Sequence, residues 1–141
     1  MTDVVIAGVG QIPVGEQTSL SLREMAVEAI LAARHEVPDL EPDSLFIGNS
    51  LGSMLSHQSN LGSLIADWSN MVGVEGTTAE AGGASGGAAL RLGYLAVKSG
   101  YVNVAVVVGV EKVTDTDTHN LDRILAYTMD SDHEAFPGLT P

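Results

Sequence analysis

The chain has 141 residues, enough for one domain with a genuine core, and 45% of them are apolar against 17% charged, a balance that excludes a disordered chain. A net charge of −12 argues against nucleic acid or an anionic membrane as partner, because their phosphates would be repelled. With no cysteine, neither a disulfide framework nor a thiolate metal site is available.

No run reaches the roughly 18 uninterrupted apolar residues of a membrane span, and Met1–Asp3 lacks the positive start of a signal peptide. The expectation is a soluble, cytoplasmic protein. An acidic excess with only two lysines, Lys98 and Lys112, fits an ordinary cytoplasm and a salty one alike.

Val4–Val9 is a continuous, β-branched apolar run and predicts a strand buried on both faces. Gly8, Gly10, Pro13 and Gly15 break it. Ser21-Leu22-Arg23-Glu24 fits a capping box, and Leu22, Met25, Ala26, Ala29, Ile30 and Ala33 follow at helical spacing, so a helix runs from Ser21 to about His35. Pro38 and Pro42 close it. Ser44–Ile47 predicts a second strand entering the Gly48–Gly52 turn. A helix follows with Leu61, Leu64, Ile65, Trp68 and Met71 on one face, more simply core or subunit contact than a binding box. Thr77–Ala81 predicts a third strand, Ala84–Lys98 a third helix, and Asn103–Val110 a fourth strand. The order β-α-β-α-β-α-β is that of an α/β protein with a mainly parallel sheet and helices on both faces. After Val113 the chain turns polar, alternating Thr and Asp through Thr114–Asn120. Residues 1–113 therefore read as a core and 114–141 as the start of an excursion outside the sheet.

Two glycine motifs invite chemistry. Gly8-Val9-Gly10 follows an apolar run, as in a dinucleotide site. However, Pro13 stands where the third glycine belongs, and the next helix begins too late to offer its amino end to a pyrophosphate. A tight turn is the simpler expectation. The run Thr78–Leu90 is more informative, for a strand feeds a glycine-crowded turn and then a helix of small residues. Such a turn presents backbone N–H groups and the positive end of a helix dipole to a nucleophile seated there. Gly83-Ala84-Ser85-Gly86-Gly87 also satisfies G-x-S-x-G, the nucleophile elbow of α/β-hydrolases. That identification would need an acid and a histidine on later strands.

The segment Glu80-Ala81-Gly82-Gly83-Ala84-Ser85-Gly86-Gly87-Ala88-Ala89-Leu90 resembles the thiolase nucleophile motif, commonly Glu-Ala-Ala-Cys-Ala-Ser-Gly-Gly-Ala-Ala-Leu in archaeal-type acetyl-CoA acetyltransferases. Val4–Gly10, Ser21–Arg34 and Asn60–Asn70 are similar to the family's first strand, first helix and pre-motif helix. Gly109-Val110-Glu111-Lys112-Val113-Thr114 is similar to its Gly-x-Glu-Lys-Met-Thr signature. The resemblance implies the amino-terminal part of a thiolase fold, a portion of a mainly parallel five-stranded sheet. It also implies acyl transfer between acetyl-CoA or other acyl-CoA units, with the coenzyme A thioester as substrate and no separate cofactor. A homo-oligomer is implied as well, and archaeal-type relatives work with a small OB-fold partner subunit. The family's cysteine falls on Gly83, and its catalytic histidine and second cysteine belong to a half that lies beyond this sequence.

Ser85 is then the candidate nucleophile, an acyl-serine in place of an acyl-cysteine. Two residues are about 200° of helix, so an ordinary register aims Ser85 away from the acyl site, and the turn would have to slide to restore the aim. A serine also needs a general base within about 3 Å. Of the histidines, only His57, in the loop after the second strand, lies on the same sheet edge. His35 closes a helix, while His119 and His133 fall in the polar tail. Asp115, Asp117 and Asp122 lack the glycine and terminal glutamate of a calcium loop and predict a solvated acidic loop. The alternative to catalysis is a thiolase-like part kept for assembly or coenzyme A binding.

Overall fold

In the computed structural model, which describes residues 3–135, local signals set the first helix, α1 (Leu22–Glu36). The Ser21 Oγ accepts the Glu24 N–H at 3.3 Å and the Glu24 carboxylate accepts the Ser21 N–H at 2.7 Å. The predicted capping box thus forms. The Ser21 hydroxyl, and after it the Ser21 N–H, hold the Glu24 carboxyl below its ordinary range. The chain leaves the helix at Val37, just before Pro38, as proline's effect on the preceding residue requires.

Three strands, β1 (Ser44–Gly48), β2 (Glu75–Ala79) and β3 (Ala105–Gly109), form one parallel sheet in the order β2-β1-β3. Gly48 lies opposite both Ala79 and Gly109, so the three carboxyl ends finish level. That level edge is where chemistry gathers in open α/β sheets. Between the strands come a short α2 (Gly52–Leu55), α3 (Leu61–Trp68) and α4 (Ser85–Lys98).

Every residue of central β1 is buried, and its side chains divide by parity. Leu45 and Ile47 join Val108 against α1 and α3, meeting Ala26, Ile30, Leu61 and Ile65. Phe46 faces the other way, with Ala79 and Ala89 and with Ala88, Ala96 and Val107 packed around them, which is the α4 side. Helices thus cover both faces, and each fully buried Leu or Ile contributes about 1.5–3 kcal/mol. At the amino edge the Asp43 carboxylate accepts the N–H groups of Asn103 (2.8 Å) and Val104 (2.9 Å). These bonds, Val104's first, hold the Asp43 carboxyl below its usual range. Trp68, expected among core or contact residues, stays 47% exposed, with the Arg23 guanidinium stacked 4.0 Å from its ring centre.

The α/β expectation with helices on both faces is met, but with three strands among the described residues. The predicted first strand does not form. Val4–Val9 has no strand hydrogen bonding, and Val5 and Ile6 are each 77% exposed. A strand needs a neighbour, and none of the described residues supplies one. The run instead crosses α1, where the glycines allow backbone contact. A Cβ at Gly10 would stand 2.3 Å from the Ala33 nitrogen and one at Gly8 2.7 Å from the Ala33 oxygen. The Val9 N–H bonds Glu36 at 2.9 Å. Gly8 and Gly10 are therefore packing glycines, rather than the turn after a strand.

The acidic tail is also more ordered than its composition suggests. Asp117 caps a fifth helix, α5 (Thr118–Leu125), by accepting the Asn120 N–H at 2.8 Å, and Ile124 packs on Leu51 and Leu55. Asp115 pairs with Lys112, which is almost fully buried, while Asp115, Asp117 and Asp122 are themselves exposed, so the acids are solvated as expected but a helix stands where a loop was expected. Residues 136–141 of the predicted 114–141 excursion lie outside the described residues. No helix among the described residues is long and apolar enough to cross a membrane.

Candidate functional site

The level carboxyl ends of β1, β2 and β3 lead into three loops, and hydrogen bonds join them. The Asn49 N–H donates to the Ala79 carbonyl at 3.2 Å, and the Val110 N–H to the Gly48 carbonyl at 3.1 Å. Asn49 itself is buried. Its amide nitrogen donates to the Val110 carbonyl (2.8 Å) and to Glu111 (3.0 Å), while its side-chain oxygen accepts the Gly52 N–H (3.0 Å). Glu111 also accepts the N–H groups of Ser50 (2.9 Å) and Leu51 (3.0 Å). Neither Asn49 nor Glu111 stands out for such a role in the sequence. The one signal is the place of Glu111 in the Gly109–Thr114 run.

The glycine-rich turn follows β2. The Ala84 N–H returns to the Ala81 carbonyl at 3.0 Å and the Ser85 N–H to the Gly82 carbonyl at 3.1 Å. Gly82 has φ +54°, a left-handed conformation that a side chain would strain. Glu80 accepts the Gly82 N–H at 2.6 Å. The start of α4 then lies directly on the end of β1. A Cβ on Gly48 would come within 2.6 Å of the Gly86 Cα.

Gly83 and Ser85 have opposite surroundings. Gly83 is exposed at the tip, its φ is not left-handed, and a Cβ built on it meets nothing within 4 Å. A side chain would therefore fit there without displacing anything. Ser85 is 5% exposed as the first residue of α4. Its Oγ accepts the Ala81 N–H at 2.9 Å and donates to the Gly82 carbonyl at 2.7 Å, so it turns inward and ties the turn together. α4 has no side-chain cap, and this inward serine supplies the local bonds in its place.

His57, in the loop between α2 and α3, is exposed and has φ +51°. No hydrogen bond joins it to Ser85. His35 stands in the last turn of α1, where a cation complements the dipole. His119 is exposed, and His133 pairs with Asp130 at 3.1 Å.

A parallel sheet sandwiched by helices, with a strand running into a glycine turn and a small-residue helix at its carboxyl edge, is consistent with a thiolase-like partial fold. Comparison with known proteins sharpens this class. Over 142 aligned residues, 99% of its length, the chain is 37% identical to the acetyl-CoA acetyltransferase of Methanothermobacter thermautotrophicus, of which it covers 37%. Over 138 residues, 95% of its length, it is 37% identical to the acetyl-CoA acetyltransferase of Methanocaldococcus jannaschii, of which it covers 34%. The chain thus spans about a third of the length of these relatives. No protein-family model matches it. The resemblance to archaeal-type thiolases is borne out along nearly the whole chain.

Proposed function

We propose that this chain forms part of a thiolase-type acyl-CoA acyltransferase and supplies the turn at which the acyl group is handled. The activity is that named for both relatives. The observation that carries the proposal is the seat at Gly83, an exposed, unobstructed position at the tip of a strand–turn–helix, on the amino end of α4. Gly83 lacks a nucleophile, so the turn offers a thioester oriented backbone donors rather than a thiolate. No separate cofactor is required, since the coenzyme A thioester is itself the activated substrate.

In the acyl-serine form of this chemistry, Ser85 must first leave both of its hydrogen bonds. Two ordinary bonds cost about 1–3 kcal/mol together, a small share of a catalytic barrier, and a base must then come from His57 or from outside this chain. A second reading, thioester binding or assembly without a covalent step, is favoured by the inward, nearly buried Ser85 hydroxyl. A cytoplasmic homo-oligomer, with a small OB-fold partner subunit, belongs to the same proposal.

The native assembly containing the full chain is to be incubated with acetyl-CoA and its peptides mapped by mass spectrometry. Acetylation at Ser85 that disappears in Ser85→Ala supports the acyl-serine. Saturable binding of acetyl-CoA with an unmodified Ser85 supports the second reading. A chain that neither binds nor is acylated overturns the proposal.

A further inference from the structure

The glycine turn does not hold its place through its own bonds alone. Two carboxylates from different strand ends meet on one residue of a third loop. Ser50, just past β1, donates its N–H to Glu111 at 2.9 Å and its hydroxyl to Glu80 at 3.3 Å. Glu80 in turn receives the Gly82 N–H at 2.6 Å. Glu111 is anchored independently by the Leu51 N–H and the Asn49 amide. The sequence separations are 30 residues between Ser50 and Glu80 and 61 between Ser50 and Glu111, so no local folding preference accounts for the meeting.

We propose that Glu111, Ser50 and Glu80 form a positioning relay that fixes the Gly82–Gly87 turn against the ends of β1 and β3. None of the three touches the seat as a reacting group. Each acts through the next, and the last, Glu80, fixes the Gly82 amide, one residue from Gly83. The relay explains why the turn keeps an open seat without a side chain of its own there. Gly82 is held from behind by a carboxylate, Ser85 closes the turn from below, and the tip stays clear. This inference rests on the turn being the acyl-handling seat, but its test reads the turn's geometry and needs no acyl transfer.

The test introduces a reporter thiol, Gly83→Cys, into the full chain in its native assembly and follows iodoacetamide alkylation of that thiol across the pH range of its titration. A thiol fixed at the amino end of a helix ionises early, and one on a loosened turn ionises later. Adding Ser50→Ala removes the hydroxyl link while keeping the backbone bond to Glu111. The expected result is alkylation about threefold slower at neutral pH, with the profile moved to higher pH. Ser50→Thr, which keeps a hydroxyl, is expected to restore the parent profile. The melting temperature is recorded for each variant, so that a general loss of stability is told apart from a local change at the seat. An unchanged profile in Ser50→Ala, or a change that Ser50→Thr fails to rescue, overturns the relay. Failure of acetyl-CoA to bind in the experiment of the previous section overturns the acyl-handling role and leaves this result standing.

Discussion

Replacing Gly48 by alanine is expected to unseat the start of α4. The new Cβ would stand 2.6 Å from the Gly86 Cα and 2.7 Å from both the Gly86 nitrogen and the Ser85 oxygen. Ordinary carbon contacts lie at about 3.5–4.0 Å, so the two backbones must part by roughly 1 Å. All three obstructing atoms are main chain, and no rotamer change relieves them. β1 is held on both sides by β2 and β3, so the displacement falls on the first turn of α4. The expected cost lies at the upper end of overpacking, about 3 kcal/mol, which lowers the melting temperature by about 10 °C in a chain of this size. The assay is thermal unfolding followed by circular dichroism, with Gly87→Ala as control. A Cβ at Gly87 meets nothing within 4 Å, and alanine there is expected to stabilise the helix by about 0.5–1 kcal/mol. A Gly48→Ala protein that melts within about 2 °C of the parent, well inside that expected shift, would refute the close seating of α4 on β1.

Ser85→Ala leaves the Ala81 N–H without its partner and removes one of the two bonds on the Gly82 carbonyl, which keeps the N–H of residue 85, and a loss of about 1–2 kcal/mol is expected in denaturant unfolding. Gly82→Ala places a side chain at φ +54° and is expected to cost about 1–2 kcal/mol, whereas Gly83→Cys is expected to be neutral to within about 0.5 kcal/mol. A reversed order of these two glycine variants in the same assay refutes the assigned turn geometry. For Asp43, the two N–H bonds lower the folded-state pKa below the unfolded one, so its stabilisation is present above the unfolded value of about 3.9 and is lost as pH falls through the folded value. Asp43→Asn should therefore melt below the parent at neutral pH, and the difference should vanish in acid. A gap that persists unchanged at low pH contradicts it.

Much of this arrangement was legible in the sequence where the signal is local. The capping box at Ser21 and Glu24 needs only four residues, and the Val-rich run of β3 announces a strand wherever it lies. The glycines of the turn were equally visible, because strand, turn and helix adjoin. What could not be read depends on partners distant in the chain. Val4–Val9 has the composition of a buried strand, but composition does not reveal whether a neighbouring strand exists, and here the run lies exposed across α1. The helix at Thr118–Leu125 hid behind its acids, since one of them, Asp117, serves as its cap. Asn49 and Glu111 meet across some sixty residues; nothing local marks Asn49, and Glu111 shows only as a member of the Gly109–Thr114 run. Ser85 was visible as a hydroxyl in the right motif, yet only the fold reveals that it turns inward.

The central claim is that the seat at Gly83 is a thiolase-type acyl site from which the nucleophile's side chain is absent. Its most direct test is acylation of the Gly83→Cys variant by acetyl-CoA in the native assembly, read by intact mass and peptide mapping. An acetyl group on the introduced cysteine, removable by hydroxylamine as a thioester, is the predicted result. An introduced thiol that iodoacetamide alkylates freely and acetyl-CoA never acylates would contradict it.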